Sequence, residues 1–234
     1  MLQALREEVF EANLELVRRG LVLYTFGNAS GIDRASGLVV IKPSGVSYDV
    51  MTPADMVIVD LAGNPVEGSL RPSSDLPTHL VLYRAFAEIG GVVHTHSRSA
   101  TAWAQARRAI PCFGTTHADY FHGDVPVTED LRPGEIQSDY EANTGHAIVR
   151  RFEGLQPLAM PAVLVAGHAP FTWGRSAGEA ARLAVILEEI AALALQTVQI
   201  DMAAVPICDD LCNKHFFRKH GAGAYYGQPE RKDP

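Results

Sequence analysis

Three histidines follow short apolar segments of the sequence. His94 and His96 close the segment 91–96, and His168 comes directly after the apolar run 162–167. Because side chains two positions apart on a strand point to the same face, His94 and His96 are predicted to project together, as two ligands of one metal ion must. Open sheets gather ligands at the ends of their strands, so the pattern predicts that His168 joins them.

A carboxylate can complete this set of ligands. Asp75 lies at the predicted start of the helix that precedes the His94 strand, and we expect it to be the fourth ligand. His79, four residues later on the same helical face, is a rival, although an ordinary hydrogen-bonded helix histidine is the simpler interpretation. Three neutral imidazoles and one carboxylate suit Zn²⁺, while Mn²⁺ and other divalent ions also accept nitrogen and oxygen ligands. One divalent ion per subunit is therefore predicted, with Zn²⁺ as the first choice.

Three loops combine small residues, hydroxyl groups and cations. They are Gly27-Asn28, Lys42-Pro43-Ser44-Gly45 and Arg71-Pro72-Ser73-Ser74. A phosphate monoester carries about two negative charges and several acceptor oxygens, so hydroxyls, backbone amides at a helix N-terminus and a lysine are suited to bind it. Each loop alone is typical of an ordinary turn, but their joint presence beside Asp75 indicates a phosphorylated substrate.

Two further segments offer a carboxylate and a phenol. Asp119 lies in the segment 115–120, and Tyr225 and Tyr226 lie near the C-terminus. Taken alone, such residues are more typical of loops and surfaces than of catalytic sites.

The composition limits the class of protein. The chain has 234 residues, of which 47% are hydrophobic and 20% charged, and its formal net charge is −7. This length and composition predict a single folded domain with a sizeable core. The acidic balance and the lack of a long basic run argue against nucleic-acid binding, because phosphate neutralisation needs clustered positive charge.

The sequence also predicts a cytoplasmic protein without a membrane span. No apolar stretch approaches the ~18 residues needed to cross a bilayer, and the segment 1–19 is charged throughout, unlike the apolar core of a signal peptide. The three cysteines, Cys112, Cys208 and Cys212, are predicted to be reduced structural thiols, not a disulfide framework or a zinc clip.

Hydrophobic periodicity predicts the elements that position these residues. Helices are expected at 2–16 with Gly20 as a cap, from 73 to 86, and at 99–106, 177–198 and 206–220; strands are expected at 21–25, 38–41, 56–60, 92–96 and 162–166. The first two strands would form a hairpin across the turn 33–37, and Ser176 and Glu179 have the form of a capping box. Without regular βαβ spacing, the pattern favours an α/β sandwich with a mixed sheet.

Taken together and in order, the motifs resemble the class II aldolase/epimerase family. The resemblance is carried by the segments 27–30, 41–45, 72–79, 94–97, 114–120 and 218–228, and covers nearly the whole chain. It implies a three-layer α/β/α sandwich around a mixed, largely antiparallel sheet, and a homotetramer with active sites between subunits. We expect a single domain over residues 1–228 and a disordered tail over 229–234.

The resemblance also assigns roles to residues. The implied metal ligands are Asp75, His94, His96 and His168; the implied substrate-binding residues are Gly27, Asn28, Lys42, Ser44, Gly45, Ser73 and Ser74; the implied acid/base residues are Asp119 and Tyr226. The tyrosine is expected to reach the site of a neighbouring subunit.

The implied activity is a metal-dependent epimerisation of L-ribulose 5-phosphate and D-xylulose 5-phosphate, a step in the breakdown of arabinose or ascorbate. C4 is β to the C2 carbonyl and carries no acidic proton, so inversion requires retro-aldol cleavage and re-formation of the C3–C4 bond, with a divalent ion as Lewis acid. The alternative is a class II aldolase of the L-fuculose 1-phosphate type. In such aldolases a catalytic glutamate typically occupies the position that matches Asp75, so the shorter aspartate favours the epimerase. The Asp119 and Tyr226 pair argues against a protein that only binds a sugar phosphate.

Overall fold

The computed structural model describes residues 2–221 and 223–225. The helices are α1 Gln3–Arg18, α2 Leu76–Ala85, α3 Arg98–Gln105, α4 Thr115–Ala118, α5 Pro133–Gln137, α6 Tyr140–Arg151, α7 Ala177–Ile200 and α8 Asp209–His220, with a short 3₁₀ helix at Pro53–Asp55. The strands are β1 Asn28–Asp33, β2 Leu38–Ile41, β3 Val57–Asp60, β4 Pro65–Glu67, β5 Gly91–His94, β6 Ala162–Leu164 and β7 Pro170–Gly174.

The strands form a seven-stranded sheet in the order β4-β3-β2-β1-β5-β7-β6. Every neighbouring pair of these strands is antiparallel, and the parallel pairing found among the described residues is an isolated bridge between Val127 and Leu164. The prediction of a largely antiparallel sheet is therefore confirmed. β1 and β5 are central neighbours in this sheet, so residues at their ends lie side by side.

Helices cover both faces of the sheet because alternate strand residues point in opposite directions. Val40 and Ile58 pack in one core with α1 and the first half of α7, whereas Val39 and Val57 pack in another core with α2 and α6. Val92 of β5 belongs to the second of these cores. The three-layer α/β/α arrangement predicted from the resemblance is confirmed.

The predicted strand at 21–25 is wrong. Leu21 and Val22 are buried, but Tyr24 has a positive φ of 53° and the first strand begins only at Asn28. β1 is built from small residues because α1 packs very closely on it: a Cβ at Gly31 would lie 2.8 Å from a Leu5 methyl carbon. A strand of small residues carries little apolar signal, so the periodicity selected the preceding apolar run instead.

The other predicted elements are present with shifted ends. β5 ends at His94, and α8 begins at Asp209 rather than at residue 206. The Ser176 hydroxyl accepts the Glu179 backbone N–H as predicted, but the Glu179 carboxylate accepts the N–H of Arg175. Helix α6 was not predicted from the sequence, nor was β7, which forms a hairpin with β6.

The expectation that no apolar stretch is long enough to cross a bilayer is wrong for helix α7. Within the described ranges it is the one helix that is long and apolar enough to cross a membrane by length and composition. Its buried side chains, among them Leu183, Leu187 and Ile190, pack inside the two cores of the sandwich. One face of α7 therefore packs into these cores, while Leu193, Leu195 and Ile200 of the same helix are exposed.

The three cysteines are free thiols, as expected. Cys112 and Cys212 are buried, and Cys208 is exposed. Cys112 and Cys212 pack together with Ala118, which joins α8 to the segment before α4.

Candidate active site

His94, His96 and His168 converge at one end of the sheet, and we call them the histidine cluster. His94 is the last residue of β5, His96 follows two residues later, and His168 lies in the turn between β6 and β7. The Nε2 atoms of His94 and His96 are 3.1 Å apart. The ring centroids of the three pairs are 4.9, 4.9 and 5.0 Å apart, and one nitrogen from each ring lies within 4.8 Å of the others.

The histidine cluster fits a divalent metal ion. Two nitrogens bound tetrahedrally to Zn²⁺ at about 2.0–2.1 Å would be roughly 3.3 Å apart, which is close to the 3.1 Å between the Nε2 atoms of His94 and His96. His94 Nδ1 lies 3.0 Å from the Pro170 carbonyl oxygen and donates its proton there, so Nε2 presents a lone pair to the cluster. Two Nε2 atoms this close together suit a shared cation, to which each can offer a lone pair.

Burial keeps these imidazoles neutral. Desolvation lowers the pKa of His94 to about 3, although the neighbouring Asp75 carboxylate acts to raise it. Burial also lowers the pKa of His96 and the pKa of His168. Neutral imidazoles can bind a metal ion at pH 7 without first losing a proton.

Asp75 lies beside the histidine cluster, at the N-terminal end of α2. Asn28 Nδ2 donates a hydrogen bond of 2.6 Å to Asp75 Oδ2, and Asn28 pairs with His94 in the register of β1 and β5. Burial acts to raise the pKa of Asp75, but the positive charges that His94 and His79 can carry and the Asn28 hydrogen bond outweigh it and hold this pKa below its ordinary value. The carboxylate is ionised near neutral pH, and it is not among the ligand atoms that lie within 4.8 Å of one another.

One cavity of about 450 Å³ joins the histidine cluster to the loops predicted to bind phosphate. Its wall includes all four predicted metal ligands and all seven predicted substrate-binding residues: Asp75, His94, His96, His168, Gly27, Asn28, Lys42, Ser44, Gly45, Ser73 and Ser74. Two of the loops are held together by the backbone, because the Ser44 N–H donates to the Arg71 carbonyl at 2.8 Å and the Ser73 N–H donates to the Lys42 carbonyl at 2.9 Å. These hydrogen bonds hold the two loops together, so the residues of both loops line one space.

Lys42 brings a buried cation to this cavity. Its side chain is only 2% exposed, and Nζ donates to the carbonyl oxygens of Pro43 and Val46 at 3.1 and 3.0 Å and lies 4.7 Å from the ring centre of Tyr48. Burial lowers the pKa of Lys42 to about 8. A buried ammonium held by carbonyl oxygens and an aromatic ring is suited to an incoming anion, which would restore the charge balance.

Gly27 allows the first loop to approach β5. Its φ is +97°, and a Cβ there would lie 2.8 Å from the His94 carbonyl oxygen. The Tyr48 hydroxyl donates to the Gly27 carbonyl at 2.9 Å. Only glycine meets both the positive φ and the close contact, so this position is required for the shape of the cavity wall.

Asp119 lies away from the wall of this cavity. It follows α4 and faces α8, where its carboxylate accepts hydrogen bonds from His215 Nδ1 at 3.0 Å and from Arg218 at 2.8–3.1 Å, and lies 3.3 Å from Lys219 Nζ. Burial acts to raise the pKa of Asp119, but the hydrogen bonds from Arg218, His215 and Lys219 outweigh it and hold the pKa below its ordinary value. The neighbouring Tyr120 lines a separate cavity of about 570 Å³.

Two predictions at the C-terminus fall outside the described residues. These are the role of Tyr226 and the tail at 229–234.

Two aromatic residues beside the histidine cluster were not predicted from the sequence. The Tyr140 ring centroid lies 6.2 Å from that of His168, and the Phe26 centroid lies 6.4 Å from that of His96. Burial raises the pKa of Tyr140. Tyr140 is the first residue of α6, so a correct prediction of that helix would have pointed to it.

Comparison with known proteins agrees with this geometry. The family model described as Class II Aldolase and Adducin N-terminal domain matches residues 7–195. The chain belongs to the class II aldolase family. Class II aldolases depend on a divalent metal ion, and in this member the histidine cluster is the group of residues that could bind one.

Relatives of this class II aldolase family member match almost end to end. It is 55% identical over 227 residues, 97% of this chain and 100% of the relative, to proteins named L-ribulose-5-phosphate 4-epimerase UlaF from Salmonella paratyphi C (strain RKS4594) and from Salmonella choleraesuis (strain SC-B67). A solved L-fuculose 1-phosphate aldolase superposes with a TM-score of 0.77 at 26% identity, covering 91% of this chain and 94% of that one. The L-fuculose 1-phosphate aldolase from Glaciozyma antarctica PI12 shares the fold, with a TM-score of 0.77 at 17% identity over 95% of this chain and 84% of the other.

Proposed function

We propose that this protein is a metal-dependent L-ribulose-5-phosphate 4-epimerase. The observation that carries the proposal is the single cavity whose wall combines a histidine cluster fit for a divalent ion with hydroxyl-rich loops and a buried lysine. The 55% identity to proteins named for this activity, along 97% of the chain, supports the choice of substrate.

At the metal end of the cavity, His94, His96 and His168 would hold one divalent ion, Zn²⁺ by preference, and Asp75 would complete its ligands. When bound, the ion supplies a Lewis acid that draws electrons away from the C2 and C3 oxygens of a ketose phosphate while the C3–C4 bond is broken and re-formed. The neutral imidazoles and ionised Asp75 are already in the protonation states that a metal ion needs.

Elsewhere in the wall of the same cavity, Ser44, Ser73 and Ser74 would bind the substrate phosphate through their hydroxyls and Gly45 and Ser74 through their backbone amides, with Lys42 as the compensating charge. Anchoring the phosphate keeps the two-carbon fragment in place between bond cleavage and bond formation. Retention of this fragment distinguishes an epimerase from an aldolase with the same fold.

Proton transfer at the C4 oxygen would be carried out by Asp119 and Tyr226. Because Asp119 lies between α4 and α8 and is absent from the wall of the cavity that holds the histidine cluster, we propose that it acts, like Tyr226, on the site of a neighbouring subunit in a homotetramer. The ionised state of Asp119 suits it to accept a proton first.

A coupled assay for D-xylulose 5-phosphate formed from L-ribulose 5-phosphate tests the proposal. We expect turnover that is lost after chelation and restored by a divalent ion. Turnover that survives complete metal removal would contradict it. Release of free glycolaldehyde phosphate as the main product would identify the protein as an aldolase instead.

A further inference from the structure

Five polar side chains form a buried ladder between α2 and β1, behind the histidine cluster. Asp75, His79 and Tyr83 follow one another at intervals of four on α2, and Asn28 and Ser30 are two apart on β1. Both spacings place the side chains on one face of their element, so the two rows face each other. We call these five residues the polar ladder.

Three hydrogen bonds are the rungs of the polar ladder. Asn28 Nδ2 lies 2.6 Å from Asp75 Oδ2, Ser30 Oγ lies 2.7 Å from His79 Nδ1, and the same Ser30 Oγ lies 2.8 Å from the Tyr83 hydroxyl. Asn28, Ser30, His79 and Tyr83 are each at most 2% exposed.

The hydrogen bonds of the ladder can all run in one direction. In that direction the Tyr83 hydroxyl donates to Ser30 Oγ, the Ser30 hydroxyl donates to His79 Nδ1, and the imidazole proton is on Nε2. His79 is then a donor at the nitrogen that Ser30 does not hold.

Two atoms of neighbouring rungs are left over. Within residues 2–221 and 223–225, His79 Nε2 and Asn28 Oδ1 are buried without a hydrogen-bond partner. With the imidazole proton on Nε2 the first is a donor and the second an acceptor, and both belong to residues that interact with the Asp75 carboxylate. The rings of His79 and Phe171 are T-shaped with centroids 6.1 Å apart, and the Phe171 ring stacks on the His94 ring with centroids 4.2 Å apart.

We propose that His79 is a positioning residue: the polar ladder keeps the imidazole proton on the unpartnered Nε2, from which it can be donated to the Asp75 carboxylate, and together with the Asn28 amide this holds the carboxylate ready for the metal ion. This inference rests on the proposed function. Groups that orient a metal ligand typically contribute 10- to 100-fold to metal affinity or activity. His79 therefore contributes to metal binding without being a ligand itself.

Three variants test the ladder at different points. His79→Leu removes both ring nitrogens, His79→Gln restores a donor in a side chain of similar length, and Tyr83→Phe removes only the hydroxyl at the far end. Thr78→Val is the matched control, because Thr78 is a buried neighbour on α2 whose hydroxyl instead donates to the Glu141 carbonyl, towards α6.

Two measurements decide the outcome. In metal-free protein, imidazole ¹⁵N shifts should show His79 protonated at Nε2, and Tyr83→Phe should mix the two tautomers. Competition with a chelator should give a metal Kd raised at least tenfold by His79→Leu and severalfold by Tyr83→Phe, with Thr78→Val unchanged. His79→Gln should bind metal more tightly than His79→Leu even though leucine suits a buried position better, an order that a purely structural role would reverse.

If both His79→Leu and Tyr83→Phe bind metal as tightly as wild type, the role of the ladder is overturned. The proposed epimerase function is not affected by that result. Wild-type protein that binds the ion but does not convert L-ribulose 5-phosphate would overturn the proposed function alone. Tyr83→Phe is nearly isosteric, so it keeps the test readable if His79→Leu does not fold.

Discussion

Replacing Lys42 by methionine should change the stability of the metal-free protein relative to wild type, and the change should favour the variant more at pH 7 than at high pH. The same replacement should weaken substrate binding. In the described part of the chain the Lys42 ammonium contacts two carbonyl oxygens and the Tyr48 ring, but no carboxylate. The fold therefore buries a charge whose compensation comes from outside, which we expect to be the substrate phosphate. Methionine keeps the length and apolar volume of the side chain and removes the charge.

The magnitude follows from the pKa. Burial lowers the pKa of Lys42 from its ordinary value of 10.5 to about 8. Since one pKa unit corresponds to about 1.4 kcal/mol, the charged form costs the folded state up to about 3 kcal/mol. Between pH 8 and 10.5 the unfolded chain holds this proton and the folded chain does not, so the free energy of unfolding rises with pH across that window. From pH 7 to pH 10 the free energy of unfolding of wild type should therefore rise by about 2 to 3 kcal/mol relative to that of Lys42→Met.

Urea denaturation of the metal-free proteins at pH 7 and pH 10 measures this difference. Comparing variants at each pH cancels the titration of all other groups, and one protein concentration must be kept because association shifts apparent stability. Lys214→Met is the matched control, since Lys214 is exposed. A difference in the free energy of unfolding between wild type and Lys42→Met that is the same at both pH values would refute the reasoning about Lys42.

The same variant should raise the KM for the phosphorylated substrate at pH 7 by about tenfold, the loss of one charge-assisted contact worth about 1.5 kcal/mol. In wild type the KM should rise above pH 8 as Lys42 loses its proton, and in Lys42→Met this rise should disappear. An unchanged KM in Lys42→Met would show that the phosphate binds elsewhere.

Other predictions concern the metal end of the cavity and its wall. His96→Ala should lose bound metal on dialysis, as measured by elemental analysis, whereas the exposed His146→Ala should retain it; equal retention would remove His96 from the ligand set. Tyr226→Phe should keep the metal and lose turnover, so loss of metal in this variant would contradict separate roles. Gly27→Ala should lower the free energy of unfolding by more than about 2 kcal/mol, because the added Cβ would meet the β5 backbone at 2.8 Å. Gly20→Ala, with positive φ but nothing within 4 Å, should cost only about 1 kcal/mol, and equal costs would refute the steric argument.

Long periodic segments of the fold were predictable from the sequence. α1 and α7 repeat their apolar residues over several turns, and β2 is a continuous apolar run, β-branched from Val39 to Ile41, so local burial and local pattern agree. β1 was missed because its small residues exist to let α1 approach, a requirement imposed by a distant part of the chain. Helix α6 was missed as well, and Tyr140 with it, since its apolar residues are interrupted by polar ones.

Candidate site residues were predictable where their geometry is local. His94 and His96 need only the period of a strand, and Asp75 and His79 need only one helical turn. The cavity itself needed tertiary structure, because the loop at 42–45 meets the loop at 71–74 through backbone hydrogen bonds that no local pattern signals. The partners of Asp119 come from α8, about a hundred residues further along the chain, and were equally invisible.

The sequence by itself determined the chemical inventory of this protein: histidines in strand spacing, hydroxyl-rich turns and an aspartate at a helix start, since residue type and short-range spacing are encoded locally. Tertiary structure decided the ionisation state of those groups and which residues surround them. Burial alone keeps His94 neutral and lowers the pKa of Lys42, because desolvation depends on everything packed around a side chain. The same packing joins Ser30, His79 and Tyr83 into one hydrogen-bonded row, since β1 and α2 are brought face to face only when the sheet and its helices assemble.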